Sequence, residues 1–244
     1  MSRPLYERVE SVLAGDIADG SLPPESQLPS EDGLVARFRV SRTTVRKAIQ
    51  NLVERGLVEV RRGKGTFVTQ PKITQELTEL TGFVEDMQAS GRTATARLLD
   101  SGVVAADEVV AHHLALAPGT LVVRLQRVRL ADGVAISFDE TYLPRELGEK
   151  VAENDLEAEP VFTLLEVKYD TPLVEAEYKL EAVAADPVAA HALQVSPGSP
   201  IFLIERTSFT TGNRPVDYER LHYRGDLIRF VTRLARRPKA PMRE

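Results

Sequence analysis

The 244-residue chain has no cysteine, which excludes disulfides and thiolate metal sites and fits a reducing compartment. No apolar run approaches the roughly 18 residues that a membrane span needs. Met1-Ser2-Arg3-Pro4 leads straight into an amphipathic segment with no signal-peptide core. A cytoplasmic protein without a membrane partner is expected. Catalytic signatures are also missing. No Gly-x-Ser-x-Gly elbow occurs, and Gly63 and Gly65 do not extend into a phosphate-cradling loop after a buried strand. His112 and His113 are adjacent and diverge by about 100° on a helix, so they cannot share a metal as histidines one turn apart can. His191 and His222 stand far off without an acidic cluster. No metal site and no cofactor are expected.

Hydrophobic residues at 43% and charged residues at 27% are ordinary for a globular protein, and the length suits two domains with separate cores. Charge is unevenly spread. Between Arg37 and Lys64 stand nine Arg or Lys against two Glu, within a chain of net charge −5. This asymmetry is the footprint of a nucleic-acid-binding module joined to an acidic partner domain.

The basic stretch has a definite local form. Ser41 suits an N-cap, Val45, Ile49, Leu52 and Val53 recur on one helical face, and Gly56 suits a C-cap. The first two turns present Arg42, Thr43, Thr44, Arg46 and Lys47. A strand from Leu57, a basic turn of Arg61, Arg62, Gly63, Lys64 and Gly65, and a returning Thr66-Phe67-Val68 make a hairpin. Upstream, Ser2 and Pro4 suit the start of a helix to about Asp19, and Ser30 caps another with two acids in its first turn. Three helices and a hairpin result.

Ser-Arg-Thr-Thr-Val-Arg-Lys-Ala, Leu-Val-Glu-Arg-Gly-Leu-Val and Arg-Gly-Lys-Gly-Thr-Phe-Val resemble the winged helix-turn-helix of GntR-family transcription regulators, over residues 3–69. The resemblance implies a double-stranded DNA operator as partner. Residues 1–69 are read as the DNA-binding domain, 70–79 as a linker, 80–234 as a second domain and 235–244 as a loose tail. Asp32 stands where relatives often carry a base-contacting arginine.

In the second domain, strands and short helices alternate, and Asp132-Gly133 is a hairpin signal between Leu121–Leu130 and Val134–Leu143. The later strands are expected at Leu173–Val183, Ile201–Thr210, Val216–Tyr223 and Leu227–Leu234. An antiparallel-rich α+β domain follows. Leu80 to Met87, Arg127 to Gly133, Tyr142-Leu143-Pro144 and Tyr223 to Asp226 resemble the effector-binding UTRA domain of the HutC branch, whose fold is similar to chorismate lyase.

Arg127 and Arg129 alternate along a strand, so both guanidiniums share one face. That face is either solvent, with the arginines paired to acids, or a cleft that grips an anion. The resemblance implies the cleft. It marks Arg127, Arg129, Asp139, Phe162, Asp217, Tyr223, Gly82 and Phe83 as effector-binding positions, a small phosphorylated or carboxylated metabolite as ligand, and a homodimer. Asp139 and Asp217 replace glutamates of amino-sugar-phosphate sensors, Phe162 a tyrosine and Gly82 a serine. Each hydrogen bond lost to such a sugar is worth roughly 0.5–1.5 kcal/mol. The leading reading is a repressor released from a palindromic operator by its effector. The alternative is a small-carboxylate enzyme of lyase-like fold with an appended DNA-binding domain.

Overall fold

The computed structural model describes residues 4–69 and 72–235, and the chain divides into two compact units, Met1–Lys72 and Ile73–Glu244. The predicted helix start at Ser2, two linker residues (Gln70 and Pro71) and the tail beyond residue 235 lie outside the described residues.

In the first unit, α1 spans Leu5–Ala18, α2 Glu31–Phe38 and α3 Arg42–Glu54. Ser30 accepts the Gly33 N–H and Ser41 the Thr44 N–H, so both serines satisfy donors that a helix start leaves open. Arg39 adopts left-handed backbone (φ 54°), turning the chain between α2 and α3 within three residues. Val9 and Leu13 of α1, Leu34 of α2, and Val45, Ala48 and Leu52 of α3 share one apolar core. Strand β1 (Val58–Arg61) and strand β2 (Gly65–Val68) pair antiparallel and close it with Val58 and Val68. Each of the buried leucines contributes about 1.5–3 kcal/mol by leaving water.

The second unit opens with β3 (Ile73–Glu76) and α4 (Phe83–Ala89). There follow β4 (Ala94–Ala105), α5 (Glu108–His113), β5 (Leu121–Ala131), β6 (Val134–Pro144) and α6 (Arg145–Ala152). Helix α7 (Val161–Thr163) widens into a π-turn at Leu164–Lys168. Then come β7 (Glu175–Ala184), α8 (Pro187–Leu193), β8 (Pro200–Thr210), β9 (Arg214–Arg224) and β10 (Ile228–Val231). Six strands form one antiparallel sheet in the order β4-β5-β6-β9-β8-β7.

Two expectations need correction. The segment read as linker contains β3, and the strand expected over Leu227–Leu234 shortens to β10, which leaves the main sheet and runs parallel to β3. Burial is the cause: Ile73 and Ile228 both enter the cluster of Phe83, Met87, Leu221 and Tyr223, so pairing the two short strands seals that end of the core.

The sheet is built from two copies of one β-α-β-β unit. Val104-Ala105-Ala106-Asp107 before α5 corresponds to Val183-Ala184-Ala185-Asp186 before α8, and Pro118-Gly119 after α5 to Pro197-Gly198 after α8. Asp107 and Asp186 both cap their helices, on Val110 N and Ala189 N. The two copies meet at the central β6–β9 pair. Helices α5 and α8 cover one face, through Val110 and Ala111 against Val122 and Ala190 and Leu193 against Val128. On the other, α4 packs Phe83 and Met87 on Ile204 and Leu221, while Val151, Leu164 and Leu165 pack on Val123, Leu125 and Leu143. Between these two apolar clusters lies a polar one.

Candidate functional site

The basic surface of the first unit begins at the N-terminus of α3. Arg42, Thr43, Arg46 and Lys47 are exposed, while Thr44 is half-buried and shares a 2.8 Å hydrogen bond with Ser41 Oγ. Two of these cations meet acids from the first turn of α2: Arg42 Nη2 donates to Asp32 Oδ1 at 2.6 Å and Arg46 Nε to Glu31 at 3.0 Å. On the hairpin, Arg61 lies between Glu25 at 2.5 Å and Glu59 at 2.6 Å, with its guanidinium 4.6 Å from the Phe67 ring centre. Arg62, Gly63, Lys64 and Gly65 are exposed. Gly65 has φ 120°, and a Cβ there would collide with the Gln27 amide that donates to Lys64 O at 2.8 Å. Exposed ion pairs are worth 0–1 kcal/mol in water. The carboxylates therefore orient the three arginines but hold them weakly enough for another acceptor to replace them. The sequence reading placed the cations and missed this acidic frame, of which Asp32 and Ser30-Glu31 were the visible part.

The second cluster occupies the middle of the large sheet. Arg127 and Arg129 of β5 share its inner face, as their alternation predicts, and both are buried, Arg127 completely. Arg129 Nε donates to Asp139 Oδ2 at 2.6 Å, Ser137 Oγ donates to Asp139 Oδ1 at 2.7 Å, and the Phe83 ring centre lies 5.5 Å from the Arg129 guanidinium. Arg206 of β8 pairs with Glu219 of β9 and donates to the Tyr178 hydroxyl at 3.1 Å. Thr141 Oγ1 donates to the other oxygen of Glu219 at 2.9 Å. Phe162 stacks on Arg206 with 4.5 Å from guanidinium to ring centre, and a Cβ on Gly82 would touch that same ring at 3.6 Å. Asp217 accepts from Ser208 N at 3.3 Å. Tyr223 is buried edge-on to Phe230.

Arg127 differs from the rest. All three of its guanidinium nitrogens are buried without a hydrogen-bond partner among the described residues. Burial, reinforced by neighbouring Arg129, pushes its pKa down to about 9, so it remains a cation at neutral pH. Burial and the neighbouring Glu219 push Asp217 up to about 7. Asp217 Oδ2 and Ser208 Oγ, which neighbour one another, are also buried without a partner at hydrogen-bonding geometry among the described residues. An unmet buried polar group costs about 1–3 kcal/mol and a charge more, so such a set is stable only if something else satisfies it.

All the predicted positions of the second domain gather on or over this face. Phe162 does so over Arg206 rather than over the two predicted arginines. Sequence reading missed Arg206, Glu219, Tyr178 and Ser208. The internal repeat could have found the first: the offset that carries Asp107 onto Asp186 carries Arg127 onto Arg206. Among the described residues no group of three or more His, Cys, Asp or Glu side chains could hold a metal, and no helix is long and apolar enough to cross a membrane.

Residues 5–68 match the profile described as bacterial regulatory proteins, gntR family, and residues 89–229 that of the UTRA domain. The chain is 33% identical to the HTH-type transcriptional repressor NagR of Bacillus subtilis, over 93% of each protein. It is 29% identical to the histidine utilization repressor of Pseudomonas putida, over 96% of this chain and 93% of that one. The crystal structure of PhnF from Mycobacterium smegmatis matches with a TM-score of 0.70 at 29% identity, covering 94% of this chain and 100% of that one.

Proposed function

Because the chain belongs to the GntR family of bacterial regulators, with a UTRA domain following its DNA-binding domain, we propose that it represses transcription as a homodimer released from a near-palindromic operator by a small anionic effector. It is a DNA-binding regulator rather than an enzyme, as its named relatives are, and a DNA target supports the reading that it works in the cytoplasm.

Residues 1–69 bind DNA in this reading. Helix α3 enters the major groove, where Arg42 makes a bidentate contact to guanine and Thr43 or Thr44 meets a thymine methyl or a phosphate. Arg46 and Lys47 hold the backbone. Arg61, Arg62 and Lys64 of the hairpin hold phosphates or enter a minor groove, with Gly63 and Gly65 allowing close approach. Residues 80–234 bind the effector and dimerise.

The observation that carries the sensing half is Arg127, a completely buried guanidinium with no hydrogen-bond partner among the described residues. A carboxylate or phosphate supplies what it lacks, and Arg129, Asp139, Asp217, Tyr223, Phe83, Phe162 and Gly82 surround the ligand. The effector acts by binding the DNA-releasing dimer geometry more tightly than the DNA-bound one, since a ligand shifts only what it binds unequally. The test is a titration of a selected operator duplex with and without small metabolites fractionated from cells. A fraction that releases the wild-type protein and leaves Arg127→Met bound supports the proposal; equal release of both proteins contradicts it.

A further inference from the structure

The acids of the first unit divide its exposed cations into two sets. Lys47, Arg62 and Lys64 have no carboxylate partner among the described residues, whereas Arg42, Arg46 and Arg61 each carry at least one. A phosphate asks only for positive charge, and for that task an adjoining carboxylate is a handicap. A base edge offers donors as well as acceptors, so a cation beside an acid can match it. The most open of the three pairs is Arg42 with Asp32. A single bond joins them, from Arg42 Nη2 to Asp32 Oδ1, while Glu31 meets Arg46 Nε with both oxygens and Arg61 is shared between Glu25 and Glu59. The two side chains are 63% and 71% exposed, so the pair is presented to solvent and supports no core. Asp32 has no capping task either: it lies in the first turn of α2, where Ser30 already accepts the Gly33 N–H.

When Arg42 turns its fork to guanine N7 and O6, Asp32 loses its partner and faces a groove walled by phosphates. It then needs a new donor, and the major groove supplies two, cytosine N4 and adenine N6. Adenine carries the acceptor N7 beside its amino group, which repels the second carboxylate oxygen; cytosine carries a C–H there. We infer that Asp32 is a specificity-determining residue, which accepts the N4 amino hydrogen of a cytosine in the base pair next to the guanine that Arg42 holds. The 2.6 Å between Asp32 Oδ1 and Arg42 Nη2 is comparable to one base step of about 3.4 Å, so the two groups suit neighbouring pairs. Random DNA offers phosphates to the cations and no donor to Asp32, and the bare carboxylate penalises it. The inference rests on Arg42 reading a base, as proposed above.

The test is the dissociation constant of the full chain, at one salt concentration, for a duplex selected from random DNA, for every single base-pair replacement of that duplex, and for a shuffled one. Wild type, Arg42→Ala, Asp32→Ala and Asp32→Asn are compared. Arg42→Ala locates the guanine, as the position where its preference is lost. At the pair beside it, replacing cytosine is expected to cost wild type roughly tenfold in affinity. Asp32→Ala makes that replacement nearly neutral, keeps the guanine preference, and binds the shuffled duplex more tightly than wild type does, which also shows that the variant is folded. Asp32→Asn moves the preference at the cytosine position to adenine, whose N6 and N7 an amide matches. If both Asp32 variants gain the same factor on every duplex and keep all wild-type base preferences, Asp32 is only a repelling charge and the inference is overturned. It is overturned equally if Asp32→Ala loses the guanine preference alone, since Asp32 then only orients Arg42. A wild-type chain that binds selected and shuffled duplexes alike overturns the DNA-reading proposal itself, and the inference with it.

Discussion

At the residue scale the proposed DNA contact turns on which group Arg42 faces. Asp32 at 2.6 Å orients Arg42, so in the proposed reading Arg42 exchanges one acceptor for another when it meets DNA. Arg42→Ala is expected to weaken specific binding by about 1–3 kcal/mol and to relax discrimination at one base position. A fluorescence-anisotropy titration against singly substituted duplexes checks this, and an equal loss on all sequences would make Arg42 a phosphate contact. Asp32→Ala removes a negative charge that repels the backbone, so binding to random DNA tightens when measured at the same salt. Asp217 gives a pH signature. Its folded pKa of about 7 lies above the ordinary carboxylate value, so the native state keeps the proton that the unfolded chain releases. Its contribution to stability is therefore best near pH 4, declines by about 1.4 kcal/mol per unit as pH rises toward 7, and is flat above. Urea denaturation of Asp217→Asn is expected to show a gain over wild type that grows across that window; a constant difference contradicts the assignment. Arg127 and Arg129 were legible because period-two alternation fixes a face. That the face is buried was not, since the same alternation describes a solvated strand. Arg206 gave no local signal, standing as a single cation beside Glu205 in an otherwise apolar and hydroxyl-bearing strand.

At the element scale, the features with a local cause were the ones legible in the sequence. Ser30 and Ser41 announced α2 and α3, and Asp132-Gly133 announced the β5–β6 hairpin, where Asp132 and Gly133 take φ 51° and 80°. Ser41→Ala removes the cap on Thr44 N and is expected to cost about 1 kcal/mol in stability of the first unit. Strands β3 and β10 were misread because each is four residues long and depends on a partner about 150 residues away, which no window along the sequence sees. Helix α6 shows a different constraint. A Cβ on Gly148 would come within 2.5 Å of Val123 Cβ and 3.1 Å of Leu143 Cβ, so the helix rests directly on the sheet. Gly148→Ala should cost on the order of 1–3 kcal/mol of stability, read by chemical denaturation, by lifting α6 from β5 and β6. A neutral outcome would mean that α6 is free to shift.

At the scale of the whole molecule, the division of labour follows from charge and from duplication. A basic first unit reads DNA, while an acidic second unit, made of two similar halves, encloses one asymmetric buried cluster. The two-domain organisation was legible from composition and motif; the duplication, which sets Arg127 against Arg206, shows once the strands are laid side by side. Binding DNA through several cations predicts a steep decline of affinity with salt, about 0.9 in log–log slope for each phosphate contact. The most direct test of the account is the dissociation constant of the purified chain for a duplex chosen by selection from random DNA, compared with a shuffled duplex of equal length at physiological salt. The account predicts a preference of at least about 10³-fold, with two chains bound to each selected duplex. Equal affinity for both duplexes would contradict it.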